Sequence, residues 1–175
     1  TMSVPDGVNT ATKTGTIVVQ DPDVAFTGAA TICLSTSGNF TGAPSGAQTF
    51  TVSSDMSAHI NTYKSNNTRI LFCKADTWTY STQQTLSGLT NFRIDGYGTG
   101  VARAFGSGTL IPVNVGVLNG AMILTTTGNT DLFFGSMKIT VAGSYYTQGA
   151  AKSTSMLSVN NTISGITVCK MEIRG

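Results

Sequence analysis

Charge is scarce in this chain. Of its 175 residues only 10 are Lys or Arg and 8 are Asp or Glu, a net charge of +2. At 10% charged residues, well under the usual quarter, no basic run exists. A nucleic-acid partner therefore has no electrostatic footprint. Histidine occurs once, as His59, and tryptophan once, as Trp78. One histidine gives no metal-ligand spacing and no triad spacing to read. Apolar runs stay far below the length that spans a bilayer. Long periodic helices rich in Glu, Lys, Leu and Ala are missing. The three cysteines, Cys33, Cys73 and Cys169, are an odd number, so at least one lacks an intrachain partner. No C-x-x-C pair occurs, which excludes the common zinc and dithiol motifs. Small apolar core residues are the bland reading of all three, with one disulfide as the alternative. The opening Thr1–Gly7 carries neither the basic nor the apolar region of a signal peptide.

What remains is Thr, Ser, Gly and Asn around a 40% hydrophobic fraction. That mixture favours strands joined by tight polar turns. It is too apolar for a disordered chain.

Residues 1–50 read as a leading β arm. Thr16–Gln20 is a short β-branched strand, Asp21-Pro22-Asp23 a turn, and Val24–Leu34 a second strand region. A loop rich in Ser, Gly, Asn and Pro follows to Gly46. The character then changes. Ser53, Ser54 and Asp55 offer helix N-caps. Met56, Ile60 and Tyr63 share one helical face, and Lys64 with Asn66-Asn67 ends the segment. This short capping helix near 55–64 opens a second region, 51–175, made of short strands.

Those strands carry an approximate repeat. Asn91–Tyr97, Asp131–Met137 and Thr162–Val168 each show a polar start, apolar residues, a glycine and a further strand. Gly96, Gly135 and Gly165 recur at an irregular solenoid period of roughly 30–40 residues. A parallel β-helix predicts this pattern, with glycine at positive-φ bends between strands of one coil. Asn129, Asn160 and Asn161 sit at expected corners, where stacked side chains share hydrogen bonds. Hairpin signals are few, Asn119-Gly120 being the clearest.

The stretch from Asp55 to Gly100 resembles the opening of pectate-lyase-like β-helix proteins. The resemblance lies in the capping helix, Thr68-Arg69-Ile70-Leu71-Phe72, the Thr77-Trp78-Thr79-Tyr80 strand, and Thr90–Gly98. Gly165-Ile166-Thr167-Val168 is similar to the family's coil signature. Coverage runs from about Phe50 to Gly175. Asp76–Tyr80 departs from the family's commoner Gly-Thr-Tyr, and no C-terminal cap precedes Gly175. The resemblance implies an all-β, right-handed parallel β-helix with a short N-terminal capping helix. It implies an extracellular module, secreted, cell-surface or virion-borne, that handles polysaccharide in the manner of tailspikes or secreted lyases.

Candidate sites are few. The carboxylates are Asp6, Asp21, Asp23, Asp55, Asp76, Asp95, Asp131 and Glu172. Asp55 is better explained as a helix cap, and Asp21 and Asp23 as turn residues. Asp95 and Asp131 occupy similar places near coil glycines. They are the candidate catalytic pair for glycoside chemistry, set against a corner-capping role. Trp78 and Tyr80 lie two apart on one strand face. With Tyr97 and Tyr145-Tyr146 they are the candidate sugar contacts, since their rings suit pyranose faces; the bland reading turns Trp78 and Tyr80 into the coil. His59 reads as an ordinary helix residue. Gly96, Gly98 and Gly100 open no helix, so no phosphate cradle is implied. No metal or cofactor is indicated. Polysaccharide binding, with cleavage by a lyase or hydrolase as its extension, is the leading expectation. A structural or adhesive protein that forms homo-oligomers through its coil ends or N-terminal arm is the alternative. A pilin-like sandwich, with Cys33 and Cys73 closing a disulfide loop, is a third.

Overall fold

The computed structural model describes residues 2–5, 10–13, 21–98, 110–115, 120–141, 154–160 and 163–174. Strands β1 (Met2–Pro5) and β2 (Thr10–Lys13) form an antiparallel pair. A short helix α1 (Pro22–Ala25) and a 3-10 turn at Gly28–Ala30 lead into β3 (Thr31–Ser35) and β4 (Gln48–Thr51). Helix α2 (Met56–Tyr63) follows. Then come β5 (Arg69–Cys73), β6 (Trp78–Tyr80), β7 (Gln84–Leu86) and β8 (Thr90–Tyr97). The remainder is β9 (Ile111–Val115), β10 (Gly120–Thr125), β11 (Thr130–Val141), β12 (Thr154–Val159) and β13 (Ser164–Arg174). The described chain is all-β apart from these short helices.

Beyond β1 and β2, every described strand pair is parallel. This is not the pairing of an antiparallel pilin-like sandwich. The strands form three stacks. The first runs β4-β3-β5-β8-β11-β13, the second β6-β9-β11-β13, and the third β7-β10-β12. The long strands β11 and β13 belong to both the first and the second. The front half of β11 pairs β8 and its back half pairs β9, so the eight-stranded sheet curls around a corner. Gly120 begins a strand whose pairings with β7 and β12 are both parallel. Strands β3 and β4, which fall almost wholly in the 1–50 stretch read above as a leading arm, lie in the same sheet as β5.

Register explains the core. Ile32, Ile70, Ile94, Phe134 and Val168 stand side by side in the first stack. Trp78, Val113 and Ile139 do so in the second, and Ile123 and Leu157 in the third. All of these side chains except Val168 converge on one apolar cluster that also takes Met56 and Ile60 from α2. Alternation along each strand puts every second residue inside. The helix forms as its sequence predicts: Asp55 caps it by accepting from Ser57 N at 3.0 Å and Ala58 N at 3.4 Å. Val168 is 45% exposed and Val159 52% exposed, because no described strand packs on the far side of β12 or β13.

The corner chemistry differs from the glycine repeat. Asn67, Asn91, Asp131 and Gly165 all have φ between 50° and 77°, and they fall at one corner of successive passes of the chain. Asn and Asp tolerate the left-handed region because their short polar side chains bond locally. Asn91 Nδ2 donates to Asn67 Oδ1 at 3.2 Å, linking two passes. Gly96 and Gly135 are not members of this row; they lie opposite Phe72 and Cys169. Space is tight at both. A Cβ on Gly96 would sit 2.8 Å from Cγ1 of the buried Ile111, and one on Gly135 2.6 Å from Phe133 Cε1. Thr16–Gln20, Asn119, Tyr145, Tyr146, Asn161 and Gly100 lie outside the described residues.

Candidate functional site

The structure turns the candidate aromatics inward. Trp78 is fully buried, its Nε1 donating to Cys73 O at 3.0 Å and its ring edge-on to Phe72. Tyr80 is buried too, its hydroxyl donating to Met122 O at 3.0 Å. Burial pushes the Tyr80 phenol far above its ordinary pKa, and the Asp55 carboxylate adds to that. The shared face of Trp78 and Tyr80 is therefore the interior one, and neither ring is offered to a sugar. Alternation fixes that two residues share a face; it does not fix which face.

Tyr97 is buried on the opposite side of the first stack. It packs with Cys33, Leu71 and Cys73 under a lid formed by Phe40, Ala43 and Ala47, and its ring stacks on Phe40 at 6.5 Å. Its hydroxyl donates to Asn39 O at 2.9 Å. Burial raises its pKa, helped by the neighbouring Cys73 and Cys33 thiols. Cys33 and Cys73 form no disulfide. Cys33 stands opposite Leu71, two residues from Cys73, so the loop-closing bridge expected of a pilin does not exist.

The lid is held by Asp76. Its carboxylate accepts from Ser35 Oγ, Thr36 N and Ser37 Oγ, each at 2.7 Å. Burial alone would raise its pKa, but the hydrogen bonds from Ser35, Ser37 and the backbone outweigh that and hold it below the usual aspartate value.

Asp95 and Asp131 are not brought together. Ile94 pairs with Phe134, so Asp131 is four residues out of register with Asp95. The offset is about 13 Å along the strands at 3.3 Å per residue. Asp131 is a left-handed corner residue (φ 52°), and Asp95 accepts from Gly96 N at 2.8 Å. Carboxylates that flank a glycosidic bond stand roughly 5–9.5 Å apart, so these two do not make that pair. His59 bonds locally: its Nε2 lies 2.9 Å from Ser53 O. No cluster of three or more His, Cys, Asp or Glu suited to a metal occurs among the described residues.

A different constellation occupies the outer face of the first stack. Thr31, Arg69, Arg93, Phe133 and Thr167 form one outward row in register. Arg69 is 3% exposed, and its Nη2 bonds Asp23 Oδ1 at 2.7 Å and Thr31 Oγ1 at 3.0 Å. Phe26, anchored just after α1, lies beneath both arginines: Arg69 Cζ is 5.7 Å and Arg93 Cζ 5.1 Å from its centroid. Arg93 Cζ is also 5.6 Å from the Phe133 centroid. Such contacts each contribute about 0.5–2 kcal/mol. The signal for this row is in the sequence: the Arg-Ile dipeptide recurs at Arg69-Ile70 and Arg93-Ile94, one residue outward and one inward. Comparison with known proteins finds no family model, no curated protein and no solved structure that matches the chain.

Proposed function

We propose that this chain is a right-handed parallel β-helix that serves, outside the cell or on a virion, as a module binding polysaccharide on an outer sheet face. Parallel strands connected through a crossover are right-handed in about 98% of cases, which supports the hand. The observation that carries the binding reading is the partly exposed outward pair Arg93 and Phe133 on the first stack. It places an aromatic ring beside a cation on a long, regular surface, which suits an extended chain of sugars better than a compact ligand. Binding without cleavage is the form this reading takes, since Asp95 and Asp131 are far out of register. A glycan array tests it, run beside reducing-sugar and unsaturated-product assays. Retention of at least one polysaccharide class, weakened by Phe133→Ala in a folded variant, is the expected result. No retention of any glycan would refute the reading.

A second reading has its own observation. Val159 and Val168, two inward-row residues of the last described strands, are exposed. An apolar end of this kind suits assembly, either end to end between copies or with further strands. Concentration-dependent oligomers that Val168→Lys disperses, with no glycan response, would favour a structural or adhesive role.

A further inference from the structure

Residues 36–47 lie over the outward side of the first stack and cover Cys33, Leu71, Cys73 and Tyr97. That cluster is separate from the main core, which takes the inward residues of the same strands. The turns of the segment are closed locally. Asn39 N donates to Ser35 Oγ at 3.0 Å, Thr41 N to Asn39 Oδ1 at 3.0 Å, and Ala43 N to Phe40 O at 3.0 Å. Gly38 and Gly46 stand near its two ends, each at φ 77°, where glycine gives the backbone its freedom. Among the described residues, the hold on the sheet has two parts. Phe40 stacks on Tyr97, whose hydroxyl donates to Asn39 O, and Gly42 meets the Gly98 backbone. The second part is the buried carboxylate of Asp76, which accepts from Ser35 Oγ, Thr36 N and Ser37 Oγ.

We infer that segment 36–47 is an acid-released lid: protonation of Asp76 frees it from the sheet as a unit and exposes the thiols of Cys33 and Cys73 while the main core stays folded. Ser35 Oγ and Thr36 N both use Oδ2, and Ser37 Oγ uses Oδ1. A proton on either oxygen therefore turns an acceptor into a donor and removes the charge that strengthens all three bonds. Burial pushes the Asp76 carboxyl up, but the bonds from Ser35, Ser37 and the Thr36 and Ser37 backbone outweigh it and hold it below 3.8. The closed lid thus favours the ionised form. Its stabilisation is complete above that value and is lost as pH falls through the depressed closed-state one. Segment 36–47 carries no titratable side chain, and neither does β4. On the other adjoining elements these are Cys33 of β3, Arg69 and Cys73 of β5, Lys74 in the next turn, and Arg93, Asp95 and Tyr97 of β8. Asp95, the other carboxylate there, bonds Gly96 N of its own strand. Burial pushes the Tyr97 phenol further up, so it stays neutral in acid. Cys33 and Cys73 are offset by two residues on neighbouring parallel strands, about 8 Å apart at Cα, beyond disulfide reach. Opening therefore uncovers two separate thiols in an apolar pocket, chemistry that the closed face does not offer.

The test follows labelling of the full chain, carrying Cys169→Ser, by 4,4′-dithiodipyridine, which reacts with thiols in acid as well as at neutral pH. The sulfur attacks the reagent's disulfide, forming a mixed disulfide and releasing one thiopyridone that takes the thiol's proton. Rates are divided by that of glutathione at the same pH, and Trp78 fluorescence reports the main core in parallel. The relative rate is expected to be low and flat near neutral pH and to rise below about pH 4, before Trp78 emission shifts. Asp76→Asn is expected to label at least about tenfold faster at neutral pH and to lose the acid rise. The pH profile of the parent needs no variant at Asp76, so it decides the matter even where Asp76→Asn folds poorly. A relative rate that stays flat while Trp78 remains folded overturns the inference. So does labelling that rises only together with the Trp78 shift, since the lid then has no opening of its own. A folded Asp76→Asn that labels as slowly as the parent overturns it as well.

Discussion

Asn129 ties one pass of the chain to the previous one through Leu89. Its Oδ1 accepts from Leu89 N at 2.9 Å, and its Nδ2 donates to Leu86 O at 2.8 Å and Thr126 O at 2.7 Å. The side chain is buried. Asn129→Ala removes the partner of Leu89 N and of Thr126 O, while Leu86 O keeps Thr126 N at 2.9 Å, at a cost of about 1–3 kcal/mol for each unsatisfied group. Denaturant unfolding is expected to show a lowered midpoint with an unchanged slope. A midpoint equal to the parent's would mean the amide is not the tie.

Asp76 gives stability a pH dependence of definite sign. Its folded pKa lies below the unfolded value of 3.8. The contribution is therefore present in full above that value and is lost as pH falls through the depressed folded one. Asp55, held down by Ser57 and Ser81 against the upward push of burial, acts in the same direction. Thermal unfolding measured from neutral pH into the acid range should fall less steeply in Asp76→Asn than in the parent. Parallel curves would contradict this.

The left-handed corner is testable at Asn91, where φ is 50°. A β-branched residue meets its own carbonyl there, at about 1–2 kcal/mol, and also loses the bond to Asn67. Asn91→Val should lower stability by at least that amount, while Asn91→Gly stays close to the parent. The ranking Gly above Val, measured by urea unfolding, checks the conformation independently of any contact.

Trp78 is the sole tryptophan, so fluorescence reports on it alone. Full burial implies blue-shifted emission and weak quenching by acrylamide in the folded protein. Trp78→Phe should leave glycan binding unchanged while lowering stability. A quencher-accessible Trp78 would place the ring outside after all.

Much of the architecture was legible from local chemistry. Asp55 followed by Met56, Ile60 and Tyr63 encodes α2 by capping and spacing, and alternation outlines β6, β8 and β11. Register was less legible, because the passes differ in length. Ile70 to Ile94 is a short pass and Ile94 to Phe134 a long one. Glycine spacing alone therefore aligns Gly96 and Gly135 with Gly165, whereas the row is Asn67, Asn91, Asp131 and Gly165. The site was missed for a related reason. Trp78 and Tyr80 are conspicuous as letters, but their rings fill the interior. Arg93 and Phe133 gain meaning only once their strands are laid side by side.

Stacking of successive passes in the order β6-β9-β11 is the claim on which all of this stands, and engineered cross-links test it directly. Thr79 pairs with Asn114, and Asn114 with Thr140, on the exposed side of the second stack. In a background with Cys33, Cys73 and Cys169 replaced by Ser, Thr79→Cys with Asn114→Cys should form a disulfide under mild oxidation. Asn114→Cys with Thr140→Cys should do the same. Thr79→Cys with Thr140→Cys, about 9.6 Å apart across two strand spacings, should not. Bridging of Thr79 to Thr140 in preference to either neighbouring pair would contradict that order.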